Sequence, residues 1–179
     1  MQRIVELETE QFYLRTWREE DFAPYARLTS DKEVMKFFPK TLTPQESRVA
    51  ALKFQHLLAI RGWGFWAVEE KKSGKFIGYA GLHSPSTIFP FSPCVEIAWR
   101  MEEQYWESGA VLELGKVILN HALTVLKLEE IVYFSSVDNE RAKGVVEALG
   151  MVNQEQNFSH PFVPKEHRLS EHYLFKIKN

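Results

Sequence analysis

The chain has 179 residues, of which 45% are hydrophobic and 13% aromatic, enough to build a substantial hydrophobic core in one domain. Its 22 lysines and arginines nearly balance 24 aspartates and glutamates, which leaves a formal net charge of −2. This balance gives no overall electrostatic basis for binding nucleic acid or an anionic membrane. The charge-rich N-terminal segment lacks the apolar stretch of a signal peptide, and no membrane-spanning apolar run occurs. We therefore expect a cytoplasmic, single-domain protein over residues 1–179.

Residues that bind metals or form disulfides are few. Cys94 is the only cysteine, which excludes an internal disulfide, and we expect it to be a packing residue rather than a nucleophile. His160, His167 and His172 do not have the spacing of helical metal ligands, and the chain contains no HExxH motif. The sequence therefore predicts no metal site.

A β-prone strand and two helices are predicted at the start of the chain. The strand covers residues 12–17, and a helix with three acidic residues in its first turn follows over about 18–28. A second helix is predicted at about 44–60, with Thr43 as its N-cap. The residues predicted to face the core from this second helix are Val49, Leu52, His56 and Ala59.

The rest of the chain is predicted to alternate strands with two further helices. Residues 63–69 and 76–83 are typical of a hairpin, and the proline-rich residues 84–93 are typical of an irregular connection. Later strands are predicted at 95–101, 131–136, 152–158 and 172–177, and later helices at 111–126 and 139–149. The predicted core face of the helix at 111–126 comprises Val111, Leu114, Ile118, Ala122 and Val125. The order βααβββαβαββ indicates a mixed α/β fold.

The stretch from Val95 to Ala110 joins a predicted strand to the long helix through a short Ser-Gly loop. Its apolar residues alternate with Glu96, Ala98 and Arg100 at the period of two expected of a strand. A strand, a tight loop and a helix N-terminus direct several free backbone N–H groups towards one point, which suits a phosphate group. An ordinary surface turn has the same geometry, so the loop alone leaves both interpretations open.

Residues 96–123, EIAWRMEEQYWESGAVLELGKVILNHAL, resemble the acyl-CoA-binding segment of the GNAT acetyltransferase superfamily. The branch that contains ribosomal-protein alanine N-acetyltransferases is the most similar. Further segments match in the same order along nearly the whole chain, at 7–10, 14–15, 17–21, 75–82 and 137–151. The resemblance implies a single GNAT domain with a central mixed, mostly antiparallel sheet flanked by helices.

The phosphate loop departs from the family's Gln/Arg-x-x-Gly-x-Gly/Ala pattern. Gln104 and Gly109 are in place, but Glu107 stands at the first glycine and Val111 replaces a common alanine. A glutamate under a pyrophosphate would repel it by about 4 kcal/mol at 4 Å and an effective dielectric of ~20, or by about 1 kcal/mol in open water. Glutamate is also a normal residue in the first turn of a helix, where no anion need bind.

The resemblance implies which residues contact acetyl-CoA, the expected acyl donor. The pantetheine arm would lie between the strands at 95–101 and 131–136. The residues implied in this contact are Ile97, Trp99 and Met101 through their backbone, Gln104, Ser108, Gly109 and Ala110 at the pyrophosphate, and Asn139 beside the arm. Asn139 has a second interpretation, because asparagine before a helix is a preferred N-cap.

Transfer to an amine needs a neutral nucleophile and an acid for the leaving thiolate. Glu96 is the candidate base, since it matches a glutamate that the branch often carries; its alternative is a structural pair with Arg100. Ser135 and Ser136 are the candidate donors to the leaving sulfur, and their alternative is that of ordinary strand-end hydroxyls. The tyrosine that many superfamily members place after the asparagine is replaced by Val145-Val146.

We therefore expect an acetyl-CoA-dependent N-acetyltransferase that uses no metal. Its acceptor would be a small-molecule amine or a protein N-terminus, whose α-amino group near pKa ~8 needs little help to become neutral. The alternative is a non-catalytic binding protein that keeps the fold and has lost the phosphate loop, as Glu107 and Val111 suggest. No nucleic-acid or membrane partner is expected, and both a monomer and a homodimer fit the sequence.

Overall fold

The computed structural model describes residues 4–179, and in this part of the chain nine strands form one sheet. The strands are Leu7–Glu8 (β1), Phe12–Arg15 (β2), Phe65–Glu70 (β3), Lys75–His83 (β4), Glu96–Met101 (β5), Glu130–Ser136 (β6), Val152–Asn153 (β7), Phe158–Ser159 (β8) and Glu171–Lys178 (β9). Their order is β1-β2-β3-β4-β5-β6-β9-β7, and β8 also pairs with β9. Every described pairing is antiparallel except β5 with β6. The predicted mixed, mostly antiparallel sheet is therefore confirmed.

Four α-helices cover the two faces of this sheet within the described residues. They are Phe22–Ser30 (α1), Pro44–Arg61 (α2), Ala110–Asn120 (α3) and Glu140–Ala148 (α4). Tyr79 of β4 contacts Tyr25 of α1 and Phe54 of α2, which places these two helices on one face. Trp66 of β3 pairs with Ala80, the residue after Tyr79, so its side chain points to the other face of the sheet. There it contacts His121, which directly follows α3. Between Ile4 and Asn179 no helix is both long and apolar enough to cross a bilayer.

Helix α2 has the predicted bounds but a different buried face. Thr43 caps it in a capping box with Glu46, and Gly62 ends it at φ 79°. The buried residues are Ser47, Ala51 and Leu58, whereas the predicted Val49, Leu52 and His56 are exposed. Apolar residues surround this helix on all sides, so their spacing does not single out a face. The predicted core face is therefore wrong.

The long helix predicted at 111–126 changes its winding before it ends. Residues His121–Val125 form a π-helical turn, in which the amide of Leu126 donates to the carbonyl of His121 at 3.0 Å. A π-turn inserts one residue into the helical repeat and rotates the residues that follow. As a result Ala122 is buried as predicted, but Val125 is 61% exposed.

The strand predicted at 152–158 is two short strands in the structure. Val152–Asn153 and Phe158–Ser159 both pair with β9, and a turn between them contains Glu155 at φ 55°. The side-chain Oδ1 of Asn153 accepts from the amide of Glu155 at 2.9 Å. This local hydrogen bond ends the strand pairing, because asparagine offers the backbone an alternative to the ladder.

Strands β5 and β6 part immediately after they meet. Their one register pair is Glu96 with Val132, next to a hydrogen bond of 2.9 Å from the amide of Val132 to the carbonyl of Val95. Strand β5 instead pairs with β4 along its whole length, and β6 pairs with β9 along its whole length. The two strands therefore leave a gap in the middle of the sheet.

A buried ion-pair network joins the start of α1 to the sheet. The guanidinium of Arg15 contacts Asp21 at 2.7 Å and Glu69 at 2.6 Å, and the Arg15 and Asp21 side chains are 5% and 1% exposed. Asp21 also accepts from the amide of Arg18 at 2.7 Å. Removing one partner of such a pair leaves a buried charge uncompensated.

We expect Asp21→Ala to lower the free energy of unfolding by about 3 kcal/mol or more, measured by urea denaturation. The matched control is Glu20→Ala, which removes an ion pair to Arg18 whose side chains are 71% and 52% exposed. Exposed pairs contribute little, so the control should lose less than about 1 kcal/mol. Equal losses in the two variants would contradict a structural role for the buried network.

Candidate active site

A cavity of about 380 Å³ extends from the gap between β5 and β6 across one face of the sheet. One wall is the segment 33–39 between α1 and α2, and the opposite wall includes β6, the start of α4 and residues between His160 and His172. Most of this wall is apolar and aromatic. A few polar groups interrupt it, which is the usual composition of a site for a small molecule.

The backbone edge of β5 faces the gap. Because the carbonyl of Val95 accepts from β6, the period of two turns the N–H and C=O groups of Ile97, Trp99 and Met101 towards the same side. The Met101 carbonyl already accepts from the indole Nε1 of Trp106 at 2.9 Å. The backbone N–H and C=O groups of Ile97 and Trp99 thus have the orientation predicted for contact with a pantetheine arm. At Met101 only the N–H group is available, because the carbonyl already has a donor.

The Ser-Gly loop leads into α3 as predicted, and the side chain of Ser108 forms hydrogen bonds within the loop. Gly109 is the N-cap at φ 82°, a left-handed conformation that glycine adopts without strain. The hydroxyl of Ser108 accepts from the amide of Ala110 at 3.2 Å and donates to the carbonyl of Tyr105 at 3.0 Å. The predicted phosphate donor Ala110 therefore has an acceptor within the loop, which a bound phosphate would have to replace or share.

The two residues that depart from the family pattern have different environments. Glu107 is exposed, so its charge is in contact with water, where it would repel an anion ~4 Å away by about 1 kcal/mol. Val111 is buried at 5% exposure and lines the cavity. Gln104 is exposed, and its amide donates to Glu102 at 3.0 Å rather than to the loop.

A positive charge that was not identified from the sequence lies near this loop. Arg141, in the first turn of α4, lines the cavity and holds its guanidinium 4.3 Å from the ring centroid of Trp106. Its position two residues after Asn139 gave no sign of this contact, which depends on how α4 meets the loop before α3. Arg141 adds a cation where Glu107 adds an anion.

Glu96 faces the cavity and pairs with a residue on the neighbouring strand. His83 lies directly opposite it across β4 and β5, and the histidine Nδ1 is 2.8 Å from the Glu96 carboxylate. The alternative pair with Arg100 is not formed, and Arg100 instead places its guanidinium 3.8 Å from the ring centroid of Phe38. The reason is distance, since residues four apart on a strand are separated by ~13 Å and cross-strand neighbours by ~5 Å.

Asn139 both caps α4 and contacts a candidate catalytic hydroxyl. Its Oδ1 accepts from the amide of Ala142 at 3.4 Å, and its Nδ2 donates to the Ser135 hydroxyl at 3.0 Å. Ser135 and Asn139 line the cavity. Because the Ser135 oxygen accepts the hydrogen bond from Asn139, the hydroxyl hydrogen of Ser135 is free to be donated to another group. The capping interpretation of Asn139 is thus confirmed, and the contact with a cofactor stays a prediction.

Ser136 lies on the opposite side of the strand from Ser135. It is 1% exposed, its hydroxyl accepts from the amide of Asp138 at 3.4 Å, and it is not part of the cavity wall. Successive side chains of a strand point to opposite faces, so the two serines cannot act at one point. The structure therefore favours Ser135 as the candidate donor and gives Ser136 a structural contact.

Two tyrosines near Ser135 were also not identified from the sequence. Tyr133 lines the cavity and stacks on Trp99 at 4.8 Å across the gap, and Tyr173 donates to the carbonyl of Asn139 at 3.0 Å. Burial raises the pKa of both phenols, so each keeps its proton at neutral pH. Neighbouring strands thus bring phenols to the region where α4 lacks the family's tyrosine.

Two of the three histidines of the C-terminal segment, His160 and His172, line the cavity, and His167 does not. The rings of His160 and His172 are 4.9 Å apart and contact Phe134. Burial lowers the pKa of both, to about 4 for His172, so both are neutral at pH 7. Within the described residues no group of three or more histidine, cysteine or acidic side chains is arranged to hold a metal ion.

Solved structures of known proteins share this fold. An acetyltransferase of the GNAT family from Bacillus anthracis superposes with a TM-score of 0.79 at 21% identity, over 97% of this chain and 98% of that one. A ribosomal-protein-S5-alanine acetyltransferase from Vibrio fischeri gives 0.77 at 20% identity, over 98% and 97% of the two chains. A spermidine N-acetyltransferase from Vibrio cholerae, in complex with CoA and spermine, gives 0.72 at 20% identity, over 94% and 95%.

A sequence comparison identifies the family, whereas likenesses at such low identity show the fold alone. Residues 11–152 match the profile of the acetyltransferase (GNAT) domain. The match covers most of the chain and includes β5, the loop before α3 and Asn139. The predicted family and class of enzyme are confirmed: this chain belongs to the GNAT acetyltransferase family.

Proposed function

We propose that this chain transfers the acetyl group of acetyl-CoA to a primary amine that enters the cavity from the side of α1 and α2. The observation that carries this proposal is the free edge of β5, which begins at Glu96 and ends at Met101, where the chain continues into the loop before α3. A ligand that spans this edge would have its phosphates at the loop and its reactive end at Glu96. The family profile supports acetyl transfer in general terms.

Acetyl-CoA would supply an activated thioester carbonyl to this cleft. The edge of Ile97 and Trp99 offers backbone groups to the amides of the pantetheine arm, and the first turn of α3 offers N–H groups that lack acceptors within the helix. Arg141 would place its charge beside the phosphates. We propose Ser108, Gly109 and Ala110 as the loop contacts, with Gln104 at the entrance after a rotation away from Glu102.

Glu96 is the proposed base. A carboxylate that lines the cavity can accept a proton from the acceptor's ammonium group directly or through one water. His83, whose Nδ1 lies 2.8 Å from it, would donate to the carboxylate and fix its orientation. The attacking nitrogen would thus be neutral when it reaches the thioester carbonyl.

Ser135 is the proposed donor to the departing sulfur. Its hydroxyl is held by Asn139, which directs its hydrogen away from the α4 cap. The buried phenol of Tyr133 lines the same stretch and is kept protonated, so it is the second candidate. Both belong to β6 and lie on the side of the gap opposite the edge of β5.

The identity of the amine is a finer proposal. Two acceptor classes fit this base: a protein N-terminal α-amine, which the resemblance implies and which requires the least help to become neutral, and a small-molecule amine. The alternative is a binding protein of the same fold, favoured by the Ala110 amide that the loop itself satisfies and by Gln104, which faces Glu102. We also propose that the chain acts in the cytoplasm as one domain.

Calorimetric titration with acetyl-CoA and with S-acetylpantetheine separates the enzyme from the binding protein. We expect micromolar binding of acetyl-CoA and at least ~10-fold weaker binding of S-acetylpantetheine, which lacks the phosphates. Absence of acetyl-CoA binding up to millimolar concentration would favour the non-catalytic alternative. Equal affinities would remove the loop from the site.

The exposed Glu107 makes a charge-specific prediction. We expect Glu107→Gln to tighten acetyl-CoA binding by about two- to five-fold at low salt, because the repulsion it removes amounts to about 1 kcal/mol or less in water. The effect should shrink as salt screens the charge. Arg141→Met is the opposite-sign partner and should weaken binding; a change of the same sign in both variants would contradict the placement of the phosphates.

The roles of Glu96 and His83 are separated by kinetics. We expect Glu96→Gln to lower kcat by at least about 100-fold while the calorimetric Kd for acetyl-CoA changes by less than about two-fold. His83→Gln should lower kcat less, since it orients the carboxylate without contacting the amine. Unchanged turnover in Glu96→Gln would remove this residue from the mechanism.

A further inference from the structure

Arg100 is a buried cation without a counter-ion. The residue is 9% exposed, and its guanidinium forms no hydrogen bond or ion pair with any residue from Ile4 to Asn179. Its Nε is fully buried and unpartnered. Since Arg100 lines the cavity, the remaining N–H groups can be satisfied from the cavity itself.

The groups around Arg100 do not neutralise it. Its guanidinium lies 3.8 Å from the ring centroid of Phe38 and 5.5 Å from that of Tyr79. Burial raises the pKa of the phenols of Tyr25 and Tyr79, so both stay uncharged beside it. Aromatic faces attract a cation but leave its N–H groups without acceptors.

The two carboxylates that line the cavity are engaged or distant. Glu96 contacts His83, and Glu33 is exposed at the rim; neither is within 4 Å of the Arg100 guanidinium. An arginine deprived of water is costly unless an anion completes its hydrogen bonding. Its planar fork matches the two oxygens of a carboxylate, so a carboxylate is the ligand group that the geometry lacks.

Arg100 and the proposed base occupy the same face of β5. Glu96 and Arg100 are four residues apart, a distance of ~13 Å between their Cα atoms, and the long arginine side chain shortens the distance between the two functional groups. An amine at Glu96 and an anion at Arg100 can therefore belong to one small molecule. A polyamine would place a second cation against the guanidinium.

We propose that Arg100 binds a carboxylate of the acceptor, so that the preferred substrates are free amino acids rather than polyamines or carboxyl-blocked amines. This proposal rests on the proposed function, because it assigns the acceptor of the same cleft. Arg100 is thereby a specificity-determining residue that contacts the acceptor and not the acyl donor.

The test compares amino acids with their own amides. The probes are glycine, β-alanine, 4-aminobutanoate and 6-aminohexanoate, each paired with the corresponding amide, together with 1,5-diaminopentane as a polyamine analogue. We expect kcat/KM for the best amino acid to exceed that of its amide by at least ~10-fold in the wild-type protein. The chain length of the best substrate then measures the distance between the amine and the carboxylate.

Two variants of Arg100 and one control variant test whether Arg100 causes the preference for the acid over its amide. Arg100→Met should bring the ratio of acid to amide to about 1, and Arg100→Lys should retain part of it, while the Kd for acetyl-CoA changes less than about two-fold. Arg61→Met is the control, because Arg61 also lies over an aromatic ring, Trp63 at 5.6 Å, but is not part of the cavity wall. Its ratio should equal that of the wild type.

Several outcomes would overturn the proposal. They are equal or better turnover of the amides or of 1,5-diaminopentane, and a ratio that survives in Arg100→Met. If acetyl-CoA does not bind, the proposed function fails. Calorimetric titration with each acid and its amide then tests separately whether Arg100 binds a carboxylate. Equal binding of acids and amides, or binding of none of the acids up to millimolar concentration, would then refute it.

Discussion

The parting of β5 from β6 is the constraint on which the site depends. Each strand satisfies one edge completely, β5 against β4 and β6 against β9, and the two facing edges share a single register pair at Glu96 and Val132. Backbone N–H and C=O groups in a folded interior require partners. An unpaired edge inside an apolar cleft is therefore a row of hydrogen-bonding positions ready for an extended ligand that carries amides.

The tight contact of β4 with β5 fixes where this opening lies. A Cβ added at Gly78 would overlap the carbonyl oxygen of Arg100 in β5, and one added at Gly81 would overlap that of Gly64, the residue before β3. Both glycines have positive φ, at 148° and 156°, which side chains rarely adopt. Because glycine at position 78 lets the backbones of β4 and β5 approach closely, β5 pairs with β4 along its whole length, and its other edge is the one left open.

Local patterns predicted the elements, and long-range geometry decided the contacts. The alternation at 95–101, the Thr43 cap and the Ser-Gly loop before α3 are encoded within a few residues, so the sequence indicates them directly. The buried face of α2 was predicted incorrectly because apolar residues lie on all sides of this helix. Val125 was predicted to be buried and is exposed, because a π-turn altered the helical repeat.

The partners of the candidate site residues could not be predicted from spacing. Glu96 pairs with His83, thirteen residues away, through the register of two strands, whereas the sequence suggested its near neighbour Arg100. Tyr133 enters the cleft because β6 parts from β5, and Arg141 because α4 meets Trp106. Each contact depends on which strands and helices become neighbours, which local periodicity does not specify.

Apart from Glu33 at the rim, the charged residues that line the cleft form two separate groups. Arg141 lies near the loop, on the side proposed for the acyl donor, while Glu96 and Arg100 share the face of β5 that is directed towards α1 and α2. On that face the carboxylate has its histidine partner and the guanidinium has none. A cleft that binds a polycation is expected to carry an excess of negative charge at this end, because a cationic ligand and a cationic side chain repel strongly in a poorly hydrated site. The unpaired cation instead makes the acceptor side complementary to a molecule that carries an amine at one end and an anion at the other.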